Sequence, residues 1–179
     1  LKLLLSLDIS TSSTGFCIFD ATGVLVESGA IILSHEKNFF KKVKIIEKKL
    51  VQLSSFYKIE NVAIEESLQS FRPGLSSAKT LFTLSKFNGI VQYLCHNLTM
   101  NIHTYNVNTA RKLANIKINR TVKTKTKDQV ADQVCNEVKL PKKILKSGPR
   151  KGTEVYENYA YDIADAYVIG KAYCVEKIT

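Results

Sequence analysis

The 179-residue chain is poor in structure-breaking residues, with three prolines and eight glycines, too few for a disordered or fibrous protein. Its four cysteines, at positions 17, 95, 135 and 174, never form a CxxC pair, and its three histidines show no metal-ligand spacing. That pattern fits neither a zinc site nor a disulfide framework, so reduced, packed thiols in an intracellular compartment are expected. No long apolar run is present. The opening LKLLLSLDIS is interrupted by Asp8 and is too short for a signal peptide or a membrane span, so neither secretion nor a membrane partner is expected. A P-loop signature and internal repeats are absent as well. No motif supports a Ser or Cys nucleophile, and the adjacency of Cys95 and His96 is not a dyad geometry. What remains is a chain of ordinary apolar content, long enough to bury about 70% of its unfolded surface. Its length predicts one domain over residues 1–179.

Acidic residues are also scarce, but only in one place. Residues 111–151 carry 13 Lys and Arg against three acids, Asp128, Asp132 and Glu137. Elsewhere acids and bases cancel, so the whole net charge of +10 arises in this stretch. Such a block is the electrostatic footprint of a chain that meets a polyanion, because each neutralised phosphate releases counterions. It lacks the aromatic-rich apolar face of a membrane-lying helix.

Apolar runs ending at turn signals predict strands over residues 3–7, 15–19, 24–32, 61–65 and 101–107. Apolar positions at helical spacing predict helices over 38–57, 75–98, 127–138 and 158–176. Residues 141–152, with two prolines, two glycines and many bases, read as an exposed loop. Three strands in hairpin succession, followed by strands alternating with helices, predict an α/β protein with a mixed five-stranded sheet flanked by helices.

Two of these strands finish on an acid. Asp8 follows Leu3-Leu4-Leu5-Ser6-Leu7, and Glu65 follows Val62-Ala63-Ile64. A lone carboxylate at the end of a buried strand is costly unless it is paired or binds a metal. In parallel neighbours both would emerge at the same sheet edge, with Glu66 on the opposite face. Asp162 and Asp165 stand three apart on the closing helix and share one of its faces. An ordinary helix start, which favours acids through the macrodipole, would explain this second pair as well. Four converging carboxylates make a hard-cation site suited to Mg²⁺. Two such ions can activate water and stabilise the leaving oxygen of a phosphodiester.

Taken together, Ser6-Leu7-Asp8-Ile9-Ser10, Thr14-Gly15-Phe16, Ala63-Ile64-Glu65 and Asp162-Ile163-Ala164-Asp165-Ala166 resemble the RuvC family of Holliday junction resolvases, in order and spacing, across nearly the whole chain. The resemblance implies an RNase H-like fold and a homodimer. It also implies paired incisions in four-way or branched DNA, dependent on one or two Mg²⁺ per site, with Mn²⁺ able to substitute. Asp8, Glu65, Asp162 and Asp165 match the family's catalytic, metal-binding carboxylates. Arg111 falls about where the family has a functional lysine, and Lys127 matches another of its basic residues. Arg111, Lys112, Lys117, Arg120, Lys123, Lys125 and Lys127 are then expected to line the DNA path. The helix over 75–98, carrying Leu81, Leu84, Phe87, Ile90, Val91 and Leu94, is the expected dimer interface.

The match has departures. Family members often carry a crossover-opening aromatic after the Glu, whereas here Glu66-Ser67-Leu68 follows, which leaves Leu68 or Phe71 as the wedge. The basic 141–152 loop is longer than the bacterial pattern, which fits a divergent viral or organellar branch. The compartment is accordingly one where DNA is processed: cytoplasm, nucleus, organelle or viral factory. Two other readings stand beside this one. Asp8 to Gly15 also resembles the first phosphate loop of actin-like and sugar-kinase ATPases, though Ile9-Ser10 stands where those have glycine, and that reading leaves Asp162 and Asp165 without a role. The other is a junction-binding protein with little or no catalysis.

Overall fold

The computed structural model describes residues 2–66 and 78–178. β1 (Leu3–Asp8), β2 (Ser13–Phe19) and β3 (Leu25–Ile32) form an antiparallel meander. The turn between β2 and β3 is built locally: Asp20 Oδ1 accepts from the amides of Thr22 at 2.8 Å and Val24 at 3.0 Å. Gly23 completes the bend at φ +80°, which a side chain would resist. After α1 (Phe39–Phe56), β4 (Ile59–Glu65) lies parallel to β1. After α2 (Ala78–Asn97), β5 (Asn101–Tyr105) lies parallel to β4. The strand order is β3-β2-β1-β4-β5, the mixed five-stranded sheet that the sequence predicts.

Strand alternation sorts the core into two layers. Leu5 and Leu7 of β1, Phe16 and Ile18 of β2, and Val62 and Ile64 of β4 pack against Ile46, Leu50 and Leu53 of α1 and Phe87 and Val91 of α2. On the other face, Leu4, Cys17 and Ala63 pack under α5 (Asn158–Lys177). By the same period, Asp8 and Glu65 belong to the α5 face. The helix lies close to the sheet because both surfaces are stripped of side chains where they meet. A Cβ on Gly15 would overlap the Asp162 carbonyl, and one on Gly170 would overlap the Phe19 ring and sit 2.8 Å from Ser6 Oγ.

Between β5 and α5 the structure departs from the sequence reading. The strand stops at Tyr105. Asn106 accepts from the Asn108 amide at 3.0 Å and thereby caps a helix, α3 (Val107–Leu113), where the reading extended the strand to Val107. α4 (Thr126–Val134) ends four residues before the predicted 138. The predicted loop 141–152 instead opens on β6 (Lys142–Ile144), which forms a hairpin with β7 (Glu154–Tyr156) just beyond it, its residues finding ladder partners ten to fourteen residues away. All four cysteines are free, as expected; Cys17, Cys95 and Cys174 are buried, whereas Cys135 is exposed rather than packed. Among the described residues no helix is long and apolar enough to cross a membrane.

Candidate active site

Asp8 closes β1, Glu65 closes the adjacent parallel β4, and Asp162 and Asp165 ride the second turn of α5 above them. No acid lies in the first turn of α5, so the macrodipole account of this pair fails. The four carboxylates feel one another. Burial raises the Asp8 carboxyl well above the usual carboxylate range, and the charges of Asp165, Glu65 and Asp162 add to it, with Arg111 opposing. Glu65 is pushed up to about 7, first by burial and then by Asp165, again against Arg111. Asp162 rises to about 6 through burial and Asp165, offset by Ser13 and Lys127. Burial also raises Asp165, with Arg111 opposing. Burial is the leading cause for all four.

Two cations reach the four acids. Arg111 Nη2 of α3 lies 3.7 Å from Asp165 Oδ1, an ion pair too long for a hydrogen bond. Its Nε is buried with no acceptor among the described residues, a donor left open beside the acids. Lys127 of α4 lies 4.2 Å over the Tyr161 ring and bears electrostatically on Asp162. The Tyr161 hydroxyl donates to Asp128 Oδ1 at 2.5 Å, so one aromatic ring positions the lysine and is itself held by α4.

Ser13, which the sequence reading did not single out, donates from Oγ to Asp162 Oδ2. It stands two residues before Gly15 on β2, on the same strand face, so the close approach of α5 also aligns this bond. Beside Asp8 and Glu65 a smaller cleft of about 180 Å³ is walled by Leu81, Leu84 and Asn88 of α2. Phe87 and Val91 face the protein's own core with no exposure, so that part of the predicted dimer face is occupied; Phe82 and Tyr93 are the large exposed side chains of α2.

The other basic residues fall in two groups. Arg111, Lys112, Lys117 and Arg120 line a cleft of about 420 Å³ on the α3 side. Lys125 and Lys127 line a second, of about 660 Å³, between α4 and the β6–β7 hairpin. Lys123 is exposed and lines neither. The basic loop between α3 and α4 is pinned by two glutamines one turn apart. Gln133 Oε1 accepts from the Lys117 amide at 3.0 Å, and Gln129 Oε1 accepts from that of Asn119 at 2.8 Å. Leu68 and Phe71, the wedge candidates, lie outside the described residues.

The donor set, carboxylates alone, has the chemistry of a hard divalent cation. Among the described residues no group of three or more His, Cys, Asp or Glu has the arrangement to hold an ion.

Sheet order and helix placement are those of an RNase H-like fold. Within that class the chain has the fold of the RuvC-type Holliday junction resolvases. It matches Thermus thermophilus RuvC in complex with Holliday junction substrate at 15% identity and TM-score 0.66, over 99% of this chain and 98% of that one. A second Thermus thermophilus RuvC structure matches at 17% identity and TM-score 0.62, over 97% and 93%. The yeast mitochondrial Holliday junction resolvase matches at 11% identity and TM-score 0.57, over 96% and 77%. No protein-family model and no curated protein matches the sequence.

Proposed function

We propose that the chain is a structure-selective endodeoxyribonuclease that resolves four-way or branched DNA junctions by metal-dependent phosphodiester hydrolysis. One observation carries this reading: four mutually repelling carboxylates from β1, β4 and α5 stand with Arg111 and Lys127, each of which also lines a basic cleft. Asp8, Glu65, Asp162 and Asp165, which as they stand lack the arrangement to hold an ion, would have to draw together on one or two divalent ions, with Mg²⁺ the natural choice for an all-carboxylate set. Such an ion supplies a Lewis acid and a water acidic enough to attack phosphorus at neutral pH.

The chain's own residues do the rest. Ser13 orients the Asp162 carboxylate through its hydroxyl. Arg111, with its unpartnered Nε, and Lys127 present fixed positive charge where a phosphate accumulates negative charge in the transition state. The flanking lysines and arginines set affinity and orientation through phosphates without reading sequence.

Two symmetric cuts require two active sites related by a two-fold axis, so the proposed unit is a homodimer in which residues 1–179 form one domain of each protomer. The test is a labelled synthetic four-way junction beside a linear duplex of the same sequence, each incubated with protein and Mg²⁺. Paired, symmetric incision of the junction with the duplex spared is expected. Equal cutting of both, or of neither, contradicts the proposal.

A further inference from the structure

The β6–β7 hairpin is braced for a purpose that the carboxylate site does not explain. Its base is tied down: the Glu157 amide donates to the Pro141 carbonyl at 2.9 Å, and Lys143 pairs with Glu157 at 2.8 Å. Tyr156 donates to Asp132 of α4 at 2.9 Å and meets the Tyr161 ring edge-on at 5.9 Å. Its tip is closed as well, by the Leu145 amide on the Thr153 carbonyl at 3.0 Å and the Gly152 amide on the Leu145 carbonyl at 2.8 Å. Gly148 and Gly152, at φ +81° and +85°, take the bends that other residues resist. A surface loop ordered to this degree presents its side chains from a fixed frame.

The charges on that frame are unequal in their commitments. Every acid on the groove side is engaged: Asp128 by Tyr161, Asp132 by Tyr156, Glu154 by Lys142 and Glu157 by Lys143. At the tip, Lys146, Arg150 and Lys151 are exposed and make no ion pair among the described residues. Arg150 lines a groove of about 660 Å³ that runs to Lys127 and so to Asp162, with Lys146 and Lys151 beside it on the same tip. Its aromatic floor is not a stacking platform, because Lys127 covers the Tyr161 ring at 4.2 Å and Lys142 the Tyr156 ring at 5.3 Å. With the ring faces capped by ammonium groups, bases find no surface there, whereas phosphates find cations.

We infer that the β6–β7 hairpin is a second nucleic-acid grip, holding the phosphodiester backbone of one duplex arm on the far side of α4 from the cleft of Arg111, Lys117 and Arg120. It rests on the reading of this chain as a branched-DNA enzyme and deepens it: the α3-side cleft reaches Asp165 through Arg111 and the hairpin groove reaches Asp162 through Lys127, so backbone held in each leads to the carboxylates. The grip is indifferent to sequence.

The experiment is binding of a labelled four-way junction by anisotropy in EDTA, over a salt series. The proteins are wild type, the triple variant Lys146→Ala/Arg150→Ala/Lys151→Ala, the single variant Arg150→Ala, and Lys58→Ala at the opposite end of the sheet. Removing one phosphate-binding cation lowers the magnitude of the log K against log salt slope by about 0.9, so the triple variant should lose up to about 2.7 and Arg150→Ala about 0.9. Lys58→Ala should match wild type. Unchanged slopes in both hairpin variants overturn the grip alone, leaving the junction reading intact if wild type still prefers the junction to a duplex. A wild type that binds neither DNA overturns both. If the triple variant fails to fold, Arg150→Ala decides the matter.

Discussion

Replacing Gly15 by Ala adds one methyl group and removes no charge, yet it should disable the protein. The new Cβ would overlap the main-chain carbonyl of Asp162 and lie 2.6 Å from the Ile163 nitrogen. Neither side can yield cheaply. Gly15 is paired on both flanks, with Asp8 of β1 and Ala30 of β3, and α5 buries eleven residues in the core. Overpacking a core by a methylene or two usually costs about 1–3 kcal/mol, and a clash with backbone on both sides belongs at the upper end. A loss of about 3 kcal/mol corresponds to a fall in Tm of about 6–12 °C for a chain of this size. Whatever fraction folds will carry α5 outward, and Asp162 and Asp165 with it, so junction cleavage should fall further than the folded fraction does. The control is Gly89→Ala, in an exposed position of α2 where a Cβ meets nothing within 4 Å. It should stabilise by about 0.8–1.0 kcal/mol through helix propensity. Thermal melts followed by circular dichroism, with cleavage assayed on the same samples, decide the matter. A Gly15→Ala protein that melts within about 2 °C of wild type, and cleaves at the wild-type rate, would refute the docking of α5 against β2.

Glu65→Gln, measured without divalent ions, should stabilise the protein at pH 8 and do little at pH 4.5. The folded carboxyl titrates near 7 against 4.5 in the unfolded chain, so the folded state binds the extra proton, and stability falls as pH rises between those values. The gain at pH 8 should be about 1–3 kcal/mol, allowing for partial exposure of the group; no pH dependence in the difference would contradict the burial argument. Lys123→Ala should weaken junction binding with single-turnover cleavage at saturating protein nearly unchanged. Arg111→Ala and Lys127→Ala should slow cleavage about 10²–10³-fold even at saturation, and three variants alike in everything but affinity would remove Arg111 and Lys127 from the chemistry. Light scattering without DNA at micromolar protein should give a dimer mass, with Phe82→Glu shifting it toward monomer; a monomeric wild type would count against the two-site arrangement.

The four carboxylates are legible in the sequence because each sits where a pattern breaks. Asp8 and Glu65 end apolar runs that can only be buried strands, and Asp162 and Asp165 interrupt a helix of small apolar residues at a spacing that keeps them together. The two-layer core follows from the same period-2 alternation. α3 is not legible as a helix, since seven residues hold barely two turns and Val107 reads as the end of a strand; the one signal is Asn106, a capping residue. The β6–β7 hairpin has three-residue strands rich in charge with no hydrophobic alternation, so its pairing is visible only in three dimensions. Nothing in the local sequence marks Ser13 as the partner of Asp162 or Gln129 and Gln133 as the clasps of the basic loop. Those contacts join residues that are far apart in the chain or depend on a loop path that no periodicity encodes.

The central claim is that a carboxylate cluster on an RNase H-like sheet, rather than the basic surface around it, makes this chain an enzyme. Asp8→Asn tests it most directly, because the change preserves shape at the end of β1 while removing the charge that repels the other three acids. Single-turnover cleavage of a four-way junction in Mg²⁺ should be abolished, with junction affinity in EDTA equal to or tighter than that of wild type. Cleavage by Asp8→Asn at the wild-type rate would contradict the account.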